Sequence, residues 1–124
     1  MNPLADIPRT VLITGAARRV GATLARTQHA AGWNVVIHAH RSYADAQALS
    51  AELNAQRPDS AQALAANLSE VAGIEPLARA AHARFGRLDA LVNNASTYYK
   101  TPLGSISATQ IDDLVASNLR APLL

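Results

Sequence analysis

The chain has 124 residues, of which 49% are hydrophobic and 16% charged, with a formal net charge of +2 and no cysteine. This length suits one domain, the hydrophobic fraction excludes a disordered chain, and the missing cysteines exclude a disulfide scaffold or a thiolate metal site. No apolar stretch approaches the length of a membrane helix, residues 1–9 hold no signal core, and the arginines form no long stripe; a cytoplasmic protein with no membrane or nucleic-acid partner is expected.

Thr10–Thr14 is a short β-branched apolar run ending at Gly15 and predicts a buried strand. A helix from about Arg19 to Ala31 follows, with Val20, Leu24, Thr27 and Gln28 along it and Gly32 as its stop. Trp33–His38 is a second apolar strand, with Trp33 expected to pack at its start. Ala44–Gln56 repeats alanine and leucine at helical spacing, Pro58-Asp59-Ser60 is a turn, and Ala61–Ala66 is a weaker third strand. Pro76 suits a first helical turn, and that helix runs to Phe85 and ends at Gly86. Leu88–Val92 predicts a fourth strand and Asn93–Gly104 a polar loop. Ser107 with Gln110 forms a capping box for a last helix.

Strands alternating with helices of this length require crossover connections, and so a parallel sheet with helices on both faces. The 27 alanines suit helices packed closely on a flat surface. The end at Ala121-Pro122-Leu123-Leu124 is apolar, with no stop glycine, and suggests a chain cut within a helix. An uncovered fourth strand and these leucines predict self-association of the isolated chain.

Thr14-Gly15-Ala16-Ala17-Arg18-Arg19-Val20-Gly21 joins the first strand to the first helix. Gly15 permits a tight turn, Gly21 lets the helix approach the sheet, and the free amides of a helix start favour a phosphate. No Gly-Lys-Ser/Thr is present, which excludes a nucleoside-triphosphatase loop. At the end of the second strand, an NAD-specific domain places an acid for the ribose hydroxyl. Here stand His40, Arg41 and Ser42, with no carboxylate before Asp45. A guanidinium and a hydroxyl suit a 2′-phosphate, with Arg18 or Arg19 as a second charge, so NADP(H) is the expected cofactor.

These residues resemble the short-chain dehydrogenases/reductases and, within them, the pteridine reductases. The loop resembles Thr-Gly-x-x-x-Gly-x-Gly with Arg19 at the middle glycine. That exchange, His38-x-His40-Arg41-Ser42, and Asn93-Asn94-Ala95-Ser96 in place of Asn-Asn-Ala-Gly are subfamily traits, as is Thr97-Tyr98-Tyr99 before Thr101-Pro102-Leu103. The resemblance runs from about Arg9 to Leu124. It implies a Rossmann-type doubly wound α/β domain with strand order 3-2-1-4, residues 1–124 being its N-terminal NADP-binding portion, incomplete at the C-terminus.

It also implies roles. Gly15, Arg18, Arg19, Val20 and Gly21 would cradle the phosphates, and His40, Arg41 and Ser42 the 2′-phosphate. Asn67 and Leu68 would face the adenine, where the family usually has an aspartate; asparagine keeps a carbonyl acceptor. Asn94 and Ala95 would support the nicotinamide ribose loop, and Ser96 would touch nicotinamide or substrate. Tyr98 would stack a pterin, and Asn118 would support a proton-relay water. The family reaction is hydride transfer from NADPH to a C=N bond of a dihydropterin or dihydrofolate, by enzymes that are commonly homo-oligomers. The proton comes from a tyrosine four residues before a lysine. No Tyr-x-x-x-Lys occurs here, and Tyr98-Tyr99-Lys100 has the wrong spacing. The expectation is therefore an NADPH-dependent oxidoreductase whose 124 residues do not turn over alone. Alternatives are a short-chain reductase for a ketone, quinone or acyl carrier, or a non-catalytic nucleotide-binding module.

Of the remaining polar residues, His38 and His40 point the same way along a strand, but no third metal ligand is placed. His29 and His82 are expected on helix surfaces. Glu70 and Glu75, and Asp112-Asp113 in the first turn of the last helix, fit helix starts without a catalytic role.

Overall fold

A computed structural model describes residues 7–124. Four parallel strands, β1 (Thr10–Ile13), β2 (Asn34–Ala39), β3 (Ala61–Ala65) and β4 (Ala90–Val92), form one sheet in the order β3-β2-β1-β4. The helices between them are α1 (Arg19–Ala30), α2 (Tyr43–Gln56) and α3 (Ile74–Phe85). Beyond β4, α4 (Ala108–Val115) passes through a π-helical turn at Ala116–Arg120 into the short turn Ala121–Leu123.

β1 and β2 are buried along their whole lengths because helices cover both faces of the sheet. The strand period of two divides their side chains. Val11, Ile13, Val35 and Ile37 face one way, against Ala22 and Ala25 of α1 and Ala46, Leu49 and Leu53 of α2. Leu12 and Val36 face the other way, against Leu77 and Ala81 of α3. Alanines at these contacts bring helix and sheet close, as the composition suggested. β4 is only half covered, and Leu91 is 52% exposed.

The predicted stop signals act as expected. Gly86 caps α3 in the left-handed region, and Gly32 after α1 has φ +98°. The Ser107–Gln110 capping box is formed in both directions. Two expectations need correction. Asp112 and Asp113 lie beyond the first turn of α4, where they do not meet the helix N-terminus. His29 is 2% exposed rather than on a helix surface. Its Nε2 lies 2.7 Å from Ser60 Oγ, while Arg57 donates to the carbonyls of His29 and Trp33. Burial, and secondarily the Arg57 charge, hold this imidazole below its ordinary pKa. The cluster ties the C-terminal ends of α1 and α2 to the start of β3.

Candidate functional site

Because all four strands are parallel, the segments that follow them meet at one edge of the sheet. A cleft of about 480 Å³ opens there. It is lined by Gly15, Arg18, Arg19, Val20 and Gly21 after β1, His38 on β2 and His40 just beyond its end, and Asn67, Leu68 and Ser69 after β3. Asn94, Ala95, Ser96 and Thr97 after β4, with Ser117 of the π-helical turn, complete the wall.

The β1 and β4 ends are knitted by Thr14 and Asn94. Thr14 Oγ1 accepts from the amides of Asn94 at 3.1 Å and Ala95 at 3.0 Å. Asn94 Nδ2 donates to the carbonyls of Thr14 and Gly15, at 3.2 and 3.0 Å. Gly15 turns at φ +60°, and a Cβ on it would meet the Ala95 Cα at 2.8 Å. Gly21 is packed harder still: a Cβ there would lie 2.6 Å from Asn94 Nδ2 and from the Gly15 carbonyl oxygen, and 2.7 Å from the Ala16 Cα. Both glycines are therefore required by close approach of backbone to backbone.

His38, buried to 2% exposure, holds the turn from the β2 side. Its Nδ1 accepts from the Gly15 amide at 3.0 Å, so the ring proton sits on Nε2, which donates to the Ala66 carbonyl at 2.9 Å. Burial, aided by the nearby His40 and opposed by the Ala66 bond, lowers its pKa and favours the neutral ring. The His38 carbonyl also accepts from the Ala16 amide. The first two amides of the turn are thus taken. Those of Ala17, Arg18, Arg19 and Val20, at the mouth of α1, have no acceptor among the described residues.

Arg19 stands in the left-handed region at φ +54°, where a side chain is strained. Its neighbour Arg18, which also lines the cleft, pairs with Asp45 at 2.6 Å through two largely exposed side chains. Arg41 is exposed with no side-chain partner among the described residues, and Ser42 is half-buried at the start of α2; both lie outside the cleft lining.

Beyond the cleft, Tyr98 is 86% exposed and does not line it. Asn118 also lies outside the lining. Its Oδ1 accepts from the Thr97 amide and its Nδ2 donates to the Thr97 carbonyl, each at 2.8 Å. Pro122 at i+4 has no N–H to offer the Asn118 carbonyl. Tyr99 donates to Asp113 at 3.1 Å; burial and then this bond push its phenol above the ordinary range, opposite to the need of a proton donor at neutral pH.

Sequence reasoning missed His38, Ser69, Thr97 and Ser117 as cleft residues. Thr14 opens the glycine motif and could have been found there. Ser69 and Ser117 stand in no motif. Arg120 donates to the Ser69 carbonyl at 2.8 Å, joining the end of the π-helical turn to the β3 side.

Residues 9–124 match the short chain dehydrogenase family. The chain is 46% identical to pteridine reductase 1 of Leishmania tarentolae, in an alignment that covers 74% of this chain and 38% of that protein. It is 30% identical to the 3-oxoacyl-(acyl-carrier-protein) reductase FabG of Staphylococcus aureus, over 90% of this chain and 45% of the relative. Among solved structures, FolM alternative dihydrofolate reductase 1 from Brucella suis, in complex with NADP, superposes with a TM-score of 0.86 at 30% identity. That match covers 93% of this chain and 47% of the other. The chain thus spans less than half the length of each of these relatives. With its strand order, its glycine turn and a family match over nearly all its residues, the chain belongs to the short-chain dehydrogenase family.

Proposed function

We propose that this chain is the cofactor-holding part of an NADPH-dependent reductase for a pterin-like substrate. The observation that carries the reading is the end of β2, where His40, Arg41 and Ser42 stand in place of an acid and the first carboxylate, Asp45, is neutralised by Arg18. Such an end attracts a 2′-phosphate that a free carboxylate would repel.

The residues present fit the dinucleotide. The free amides of Ala17 to Val20 and the Arg19 guanidinium would hold the pyrophosphate at the positive end of α1. Gly21 keeps the space behind them shallow. Arg41 and Ser42 would hold the 2′-phosphate beside His40, and Asn67 and Leu68 would border the adenine. Asn94 and Ala95 would fix the loop under the nicotinamide ribose, with Ser96 at the reacting end. When bound, NADPH supplies a hydride. Tyr98, free to turn, offers an aromatic face to a flat heterocycle. Asn118 holds the Thr97 loop with its side chain and offers its carbonyl to a relay water.

The pterin assignment is supported by the 46% identity to a pteridine reductase. Its test is NADPH oxidation by a full-length reductase that carries this segment, with dihydropterin, dihydrofolate, a quinone and a 3-oxoacyl thioester in parallel. Reduction of the pterin or folate with none of the others supports the assignment. Preference for the thioester or quinone would move the protein to the alternative reading. The 124 residues contain no Tyr-x-x-x-Lys, so they are expected to bind NADPH without turnover.

Arg19 supplies a second expected result. A non-glycine residue in the left-handed region costs about 1–2 kcal/mol, while glycine's extra freedom when unfolded returns roughly half of that. Arg19→Gly is therefore expected to raise Tm by a few degrees, about 2–4 °C. It should also weaken NADPH binding by about tenfold through the lost guanidinium. Thermal melts with parallel cofactor titrations check both; a fall in Tm would show that no strain is held there.

A further inference from the structure

We propose that His38 is a positioning residue whose imidazole sets the phosphate-facing turn, by holding the Gly15 amide from one ring nitrogen and the Ala66 carbonyl from the other. What the turn binds rests on the reading above; the brace itself does not.

The ring stands between two segments that are far apart in sequence. Gly15 opens the turn after β1, and Ala66 precedes the Asn67-Leu68 edge of the cleft. A rigid ring fixes the separation of its two nitrogens, so these two walls are set against each other at one spacing. The bond to Gly15 has a further consequence. With the ring accepting from Gly15 and the His38 carbonyl from Ala16, the turn cannot aim these two amides into the cleft. An anion must then be met by the amides from Ala17 onward. The ring is buried, neutral and without a free polar atom, and β2 holds it rigidly between β1 and β3. That is the setting of a brace rather than of a ligand or a proton carrier.

Two substitutions separate the two bonds. Asparagine reproduces the Nδ1 position and its acceptor, and glutamine reproduces the Nε2 position and its donor. His38→Asn therefore keeps Gly15 held, whereas His38→Gln keeps Ala66 held and leaves the Gly15 amide unpaired. Both shorten or reshape a buried side chain, and similar losses of Tm are expected. NADPH affinity should separate them: within about threefold of the parent for His38→Asn, and weaker by about tenfold or more for His38→Gln.

Hydrogen exchange at the Gly15 amide provides a readout that needs no cofactor. Protection is expected in the parent and in His38→Asn, and its loss in His38→Gln. Equal affinities and equal Gly15 exchange in the two variants would overturn the proposal and leave His38 a core residue. If the parent protein binds no dinucleotide, the functional reading fails by itself, and the exchange pattern still decides whether His38 sets the turn.

Discussion

Gly21→Ala is expected to unfold the cofactor turn and to abolish dinucleotide binding. The added methyl would meet three atoms at 2.6–2.7 Å, and two of them, the Gly15 carbonyl oxygen and the Ala16 Cα, are backbone. No rotamer change can relieve a backbone clash. The contact must be relieved by moving α1 off the sheet or by opening the turn that Asn94, Thr14 and His38 hold closed. Overpacking of this kind costs about 3 kcal/mol, which for a chain of this size lowers Tm by roughly 10 °C. A control follows from the third atom. Asn94→Ala would remove the Asn94 Nδ2 contact but neither backbone contact, so the double variant should not be rescued. Thermal melts of the two single variants and the double variant check this. Recovery in the double variant would place the clash at the side chain and weaken the claim that backbone approach dictates glycine here.

Arg41→Ala is expected to weaken NADPH binding by about 10- to 30-fold while leaving NADH within twofold, since a hydrogen bond to a charged group contributes about 1.5–3 kcal/mol. The size of the effect follows from the state of the side chain. Arg41 is exposed and has no partner among the described residues, so its removal breaks nothing in the fold. Its guanidinium lies outside the cleft lining and would have to swing toward the ligand, which lowers the expected value from the upper end of that range. Arg18 is a weaker candidate because Asp45 already holds it. Titration of both cofactors into both proteins gives the four constants needed. An equal loss for NADPH and NADH would mean that Arg41 acts on a part the cofactors share.

Most of the fold was legible in the residues. The apolar runs of β1 and β2 have no polar alternation because both faces are covered, and the stops at Gly32 and Gly86 mark the ends of α1 and α3. Strand order followed from the family resemblance, and the parallel pairing confirms it. The cleft was legible where a motif stays in one stretch of chain, as from Gly15 to Gly21 and from Asn94 to Ser96. It was not legible where a side chain chooses a partner across the fold. His38 meets Gly15 and Ala66, 23 and 28 residues away, and Arg18 meets Asp45, 27 residues away. His29 was misplaced for the same reason: helical spacing gives a face, but the burial of that face depends on Ser60 at the start of β3. Arg19 shows the converse. Its departure from glycine was visible in sequence, yet the left-handed backbone that makes the departure costly is a property of the folded turn.

Whether the end of β2 is built for a 2′-phosphate is decided by comparing NADPH with NADH on the unaltered protein. Isothermal titration at one ionic strength suffices. NADPH is expected to bind tighter by about tenfold or more, with the advantage shrinking as salt rises because charges carry it. Equal affinities, or a preference for NADH, would contradict it.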